Sequence, residues 1–455
     1  MKGFGKGKNK LLIFLLLLCA LAGCGEVDTA SETKEDVIEE VTENTTEEVT
    51  EELSAPEKPN GDYNTDVEAL QKIIEEQNAL GADMSTDLNN EDYTWDENGR
   101  LTALNIRKRN LQGELSCAGL LSLTYLDCSG NQISSLDVSK NTALTYLYCG
   151  NNQISSLDVS QNIALTSLWC QYNQISNLDV SKNATLTDLH CMGNEISSLG
   201  VSENTALTEL DCTGNQIRSL DVSQNTALEN LACGGNQISS LDVSQNIALE
   251  DLGCSNNRIS SLDVSQNTAL RSLYCNDNQI SSLDVSRNTV LKYLDCSNNR
   301  ISSLDVSQNT ALTSLDCGYN RISSLDVSEN TTLERLDCRN NQISSLDVSQ
   351  NPALTKLNCS DNQISSLDVS QNIALKELNC SDNQISSLDV SQNTALTELY
   401  CNGNRLSSLD VSKNIALRNL DCHGNQIRSL DVSNCPSLEY CNYDVRPGME
   451  VIGWQ

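Results

Sequence analysis

The stretch Leu144-Thr-Tyr-Leu147-Tyr-Cys149-Gly-Asn-Asn152-Gln-Ile154-Ser-Ser-Leu157-Asp-Val159-Ser-Gln-Asn162-Ile-Ala, residues 144–164, decides the fold. Its first part alternates with period two. Leu147 and Cys149 share one face, and Tyr146, Tyr148 and Gly150 share the other, as a β-strand with one buried side requires. Asn152 follows where the chain must turn, and its amide can satisfy backbone groups left unpaired there. The second part, Ile154-x-x-Leu157-x-Val159-x-x-Asn162, echoes the first and predicts an extended return with its own Asn ladder. From Leu123 onward this unit recurs, and Cys128 to Cys422 spans fourteen steps of 21 residues, hence fifteen coils. A unit this short cannot bury its apolar face alone, so neighbouring coils must stack to make a continuous core.

The unit resembles the leucine-rich-repeat family, whose signature is Leu-x-x-Leu-x-Leu-x-x-Asn/Cys-x-Leu, with Cys here in place of the third Leu. The resemblance runs from residue 101 to about 433 and is nearest the compact internalin type, whose coils leave little room for a helix. It implies a leucine-rich-repeat solenoid with a parallel β-sheet on the concave face and an extended or 3-10 convex side. A small N-terminal helical cap is expected at 61–100. There Val67, Leu70, Ile73, Ile74 and Leu80 form one stripe, Asn64 or Thr65 is placed to start the helix and Gly81 to end it. Residues 434–455 are expected to close the other end, with Cys435 in place of a ladder Asn and Tyr443 in place of a ladder Cys.

Residues 1–23 read as an export signal. Lys2, Lys6, Lys8 and Lys10 precede an apolar run of about ten residues, too short for the roughly 20 needed to span a bilayer. The run ends in Leu21-Ala22-Gly23-Cys24, which resembles the lipobox of bacterial lipoproteins. That resemblance implies lipidation of Cys24 and a chain held to the cell membrane or surface outside the cytoplasm. Residues 24–60, rich in Glu, Thr and Ser with few apolar positions, read as a disordered acidic tether.

Of the 20 Cys, fifteen fall at one inward position per coil. The coil spacing of about 4.8 Å exceeds the Cβ separation that disulfides prefer, so the column reads as packed free thiols. Cys435 and Cys441 are the one pair with reason to bridge. Structural zinc spacings are missing, and no cofactor is implied. The Asp of Leu-Asp-Val-Ser recurs in every full coil except at Gly200. Its neighbouring Ser hydroxyls and N–H groups are expected to compensate it, with a row of calcium ions as the alternative.

A formal net charge of −33 argues against nucleic-acid binding. Two His far apart, and no nucleophile elbow or phosphate loop, argue against an enzyme. The informative positions are those that vary on a fixed scaffold. On the concave face Tyr148, Trp169 and His190 succeed one another in one column, Tyr125 and Tyr146 flank them, and Tyr172 and Met192 sit just past the strand. Aromatic clusters anchor protein contacts and stack on sugar faces. These residues are the candidate site for a protein or glycan ligand, on a chain expected to be monomeric. The alternatives are a passive envelope spacer or adhesive stalk and, behind it, a carboxylate-dependent hydrolase. A second group, Tyr274, Tyr293 and Tyr319, adjoins Asp295, Asp316 and Asp337 with Arg335, Arg339 and Lys356. That mixed patch reads as a solvated face, with contact to a basic partner as the alternative.

Overall fold

The computed structural model describes residues 63–445 and 447–454. The expected leader 1–23, its Cys24 and the acidic segment 24–60 lie outside the described residues. Helix α1 (Tyr63–Ala79) is followed by β1 (Tyr93–Trp95) and β2 (Leu101–Asn105), which pair antiparallel. From β2 the chain coils, each turn adding one short strand to the same sheet. These are β4 (Tyr125–Asp127), β6 (Tyr146–Tyr148), β7 (Ser167–Trp169), β8 (Asp188–His190), β9 (Glu209–Asp211) and their successors as far as β19 (Asn419–Asp421) and β21 (Tyr440–Asn442). Every successive pair is parallel and in register, 22 residues apart from β2 to β4 and 21 apart thereafter, so Leu126, Leu147, Leu168 and Leu189 face one another in a row. The result is a leucine-rich-repeat solenoid with one 18-stranded sheet.

Each inward position is closed to solvent. Leu144, Leu147, Cys149, Ile154 and Val159 are 0% exposed, and their equivalents repeat this around the stack. The return side is extended, with turns rather than 3-10 helix among the described residues. It forms regular strands only at its ends, where β3 (Gln112–Ser116) pairs with β5 (Gln132–Asp137) and β20 (Ser429–Asp431) with β22 (Glu450–Ile452). Between them one backbone bond per coil, such as Gln174 N–H to Ile154 C=O at 2.9 Å, ties successive returns together.

The two Asn columns hold the coils in step. Asn152 donates from Nδ2 to Cys128 and Cys149 carbonyls, each at 3.0 Å, and its Oδ1 accepts the Ile133 N–H at 2.9 Å. One amide therefore bridges two coils with donors and acceptor all used. On the return side Asn162 Nδ2 donates to Val138 and Asn141 carbonyls at 2.9 and 2.8 Å. Its Oδ1 has no donor in reach, and this repeats from Asn141 to Asn414. Cys435 stands in the Asn position, and its thiol donates to the Val411 carbonyl at 3.6 Å.

At the N-terminal end α1 closes the stack. It begins at Tyr63, before the expected Asn64 or Thr65 cap, and ends at Ala79, with Gly81 at φ +100° in the turn that follows. Leu70, Ile73 and Ile74 pack into the core, whereas Leu80 lies beyond the helix and is half exposed, outside the stripe assigned to it. The buried Asp66 pairs with Arg100 at 2.8 Å and accepts the Leu101 N–H at 3.0 Å. Gln77 bonds both ways to β3, accepting from Gln112 N–H and donating to Glu114 C=O. The bare edge of the return side is thereby paired by a side chain instead of a strand.

The ladder thiols from Cys128 to Cys422 are all free and buried, as are Cys117 and Cys435; Cys441 is free and partly buried. Burial pushes Cys170 and Cys254 up to about 12 and holds their thiolates out of reach at physiological pH. Iodoacetamide labelling of the native chain should therefore leave Cys149 to Cys401 unmodified, and labelling in denaturant should reach all of them, read by peptide mass mapping. Asn257 donates to three carbonyls and accepts the Ile238 N–H. Asn257→Ala should cost about 3 kcal/mol, because buried backbone groups in two coils lose their partner; a urea midpoint unchanged from the parent would contradict this.

Candidate functional site

The outward positions of β4 and β6 to β8 carry the aromatic residues singled out in the sequence. Parallel register places each ring over the next coil's ring, and five of them form one array. Tyr125 meets Tyr148 edge-on with centroids 5.6 Å apart, and Tyr146 lies within 6.4 Å of both. Tyr148 and Trp169 are 4.9 Å apart, and so are Trp169 and His190. Such ring pairs each stabilise by about 0.5–1.5 kcal/mol beyond area burial. Trp169 nevertheless stays 36% and Tyr146 44% exposed. Burial pushes the Tyr125 and Tyr148 hydroxyls up, so both stay neutral donors.

Tyr172 sits apart from the array, reaching Met192 Sδ through its hydroxyl at 3.9 Å. Its backbone explains why. The residue two after each ladder Cys has positive φ throughout, and six of the fifteen coils use Gly, four Asn and three Asp there. Tyr172 and Tyr319 are the two exceptions, at φ 54° and 52°, and both are 46% exposed. A bulky side chain in the left-handed region costs about 1 kcal/mol or more. The next coil makes room for the first of them, because a Cβ on Gly193 would fall 2.6 Å from Tyr172 Cδ1. This strain was invisible in the sequence, although a Tyr in a Gly/Asn/Asp column was a usable signal.

The array ends on carboxylates, which the sequence reading missed. His190 Nε2 stands 3.7 Å from Glu209 Oε2, and the register sets Asp188 opposite Glu209 and His190 opposite Asp211. Burial, with Glu209 alongside, pushes Asp188 up, and burial pushes Asp211 up against the N–H of Thr213. Following the two aromatic columns for one more coil would have found Glu209 and Asp211.

In the second patch Tyr319, Arg335 and Lys356 are exposed, as a solvated face requires, but its three Asp are partly shielded. Asp295, Asp316 and Asp337 stack in register on the concave strands. Burial, then the flanking Asp295 and Asp337 charges, pushes Asp316 up to about 7. Arg339 lies 3.2 Å from Asp337 and over the Tyr319 ring at 5.5 Å, and Lys356 pairs with Glu377 at 2.6 Å. The return-side Asp column behaves oppositely. The N–H and then the hydroxyl of Ser160 hold Asp158 below its ordinary value, as the equivalent Ser does at Asp221, Asp242 and Asp263. Among the described residues no cluster fit for a metal ion is found.

Because folded Asp316 keeps its proton to a higher pH than the unfolded chain, its contribution is full below about 4 and lost as pH rises to about 7. The unfolding temperature should therefore fall across that window, and Asp316→Asn should flatten part of the fall and raise the value at pH 8. A parallel pair of pH profiles would contradict it.

A parallel sheet with closed inward columns and a variable outer face defines a coiled repeat scaffold. The family described as Leucine Rich repeats (2 copies) matches residues 121–162, 142–183, 247–288, 289–330, 331–372 and 373–414, and the chain belongs to it. Among solved structures, the functional domain of InlJ from Listeria monocytogenes, described as including a cysteine ladder, is 39% identical. It covers 70% of this chain and 72% of that one, with a TM-score of 0.68. The protein LIC12759 of Leptospira interrogans, also a leucine-rich-repeat protein, is 25% identical over 75% of this chain and 95% of its own, with a TM-score of 0.66. No curated protein sequence matches the chain. The chain is thus an internalin-like leucine-rich-repeat protein, and among its described residues no helix is long and apolar enough to cross a membrane.

Proposed function

We propose that this chain is a surface-anchored lipoprotein that captures a protein or glycan ligand on the N-terminal half of its concave face, without catalysis. The observation that carries the reading is the ring array. The fold needs Leu147, Leu168 and Leu189 inside, but it needs no aromatic at the outer positions, where later coils carry Asn, Ser, Asp, Ala, Gly and charged residues with only scattered Tyr. Five touching rings, left partly exposed, make the kind of rigid amphipathic patch on which binding energy concentrates. Tyr125, Tyr146, Tyr148, Trp169 and His190 form its floor. Tyr172, apart from the rings but on the neighbouring turn, is assigned to the same site because its backbone is strained, and strain of this kind collects at sites of function.

The remaining parts follow from the sequence. Residues 1–23 direct export, lipidated Cys24 anchors the chain, 24–60 space it from the surface, 61–100 and 434–455 cap it, and 101–433 present the ligand face of a monomer. A two-chain lipid gives stable attachment where one chain would not.

Replacing Tyr148 and Trp169 together by Ala should abolish capture of ligands from host-surface and envelope extracts, or from a glycan array, while leaving the unfolding temperature within a few degrees. Equal capture by parent and variant would favour a passive spacer and overturn the reading.

A further inference from the structure

Three tyrosines of two neighbouring coils crowd together at the N-terminal end of the concave face. Tyr125 on β4 and Tyr146 on β6 rise from register-paired Cα atoms, so their hydroxyl ends stand side by side. Their ring centroids are 6.3 Å apart with the planes at 48°, which leaves the two rims about one carbon–carbon contact, ~3.5–4 Å, from each other. Tyr148 is comparably near but differently angled. It meets Tyr125 edge-on at 86°, and Tyr146 at 63° and 6.4 Å. A bond between two phenol rims lies in the plane of both rings, so an edge-on pair must turn far before it can form one, and the 48° pair need not. Tyr146 is 44% exposed and gives an oxidant its way in. The thiols of Cys128 and Cys149 lie on the inward side of the same coils, closed to solvent.

We propose that Tyr125 and Tyr146 are a site of oxidative cross-linking, in which a carbon–carbon dityrosine bond joins their two coils. The co-reactants are a haem peroxidase and hydrogen peroxide. The enzyme takes one electron and one proton from each hydroxyl, and the peroxide leaves as two waters. The two phenoxyl radicals then join through the ring carbons beside their oxygens. The hydrogen on each of those carbons moves to its oxygen and restores the ring, so the product lacks two hydrogens and keeps both hydroxyls. Rings held on adjacent strands meet far more often than rings on two separate copies, and a net charge of −33 keeps the copies apart. The cross-link therefore forms within one chain. It needs no ligand, so it stands or falls separately from the binding reading.

The test treats the full chain with a haem peroxidase and hydrogen peroxide, and reads dityrosine emission and tryptic peptide masses from the monomer band of a denaturing gel. Trypsin cuts after Arg109, Lys140 and Lys182, which leaves Tyr125 as the one tyrosine of 110–140 and places Tyr146, Tyr148 and Tyr172 in 141–182. The two peptides should emerge joined and two hydrogens lighter than their sum, with fragment ions placing the bond at Tyr146. Tyr125→Phe and Tyr146→Phe keep a packed ring without its hydroxyl, and each should lower the emission at least tenfold. Tyr148→Phe should lower it less than twofold, and so should Tyr319→Phe, which removes a tyrosine of like exposure. Emission confined to a dimer band would overturn the inference, as would a bond mapped to Tyr148 or Tyr172. So would a dark chain in conditions that couple N-acetyltyrosine in a parallel tube.

Discussion

A strand of three residues makes too few backbone bonds to set its own place in a sheet, so something else must hold each coil at its register. The Asn at the end of the strand does this. Asn152 spends both Nδ2 protons on carbonyls of two different coils and its Oδ1 on an N–H of the coil before. Because the amide is buried, any slip of one coil against the next would strand polar groups in an apolar interior. The exact 21-residue register is therefore a polar constraint, while the Leu, Ile and Val columns supply the stabilising burial.

Register of that kind makes like stack on like, with different outcomes on each side. Inside, a column of Cys works because a thiol is a small, weakly polar group that tolerates its own copy above and below. On the return side, Asp above Asp is tolerated because each carboxylate accepts from the Ser two residues on, as Asp158 does from Ser160. On the concave strands the same stacking puts ring on ring, or carboxylate on carboxylate. There Asp316 accepts the Gly318 N–H at 3.0 Å but has no Ser hydroxyl at that place, and burial raises it.

The ends show how a stack without a natural stop is finished. β1 runs antiparallel along β2, so the sheet edge does not present another parallel template, and Gln77 covers the neighbouring edge from a helix. The helix stripe was readable from Leu70, Ile73 and Ile74. That Leu80 falls outside it was not, since Gly81 turns the chain only after the helix has already ended at Ala79.

The inward columns, both Asn ladders, the free thiol column and the candidate rings could be read directly from the 21-residue beat, because periodicity alone says which side chains share a face. Three things needed the folded chain. The left-handed backbone at Tyr172 and Tyr319 belongs to the turn and not to the residue. The half-burial of Asp295, Asp316 and Asp337 depends on how neighbouring side chains shield one another. The carboxylates gathered at the end of the ring array come from residues 21 apart in the chain that lie side by side. Sequence period determines which face a residue occupies; distance, solvent and charge between faces are set only once the coils are stacked.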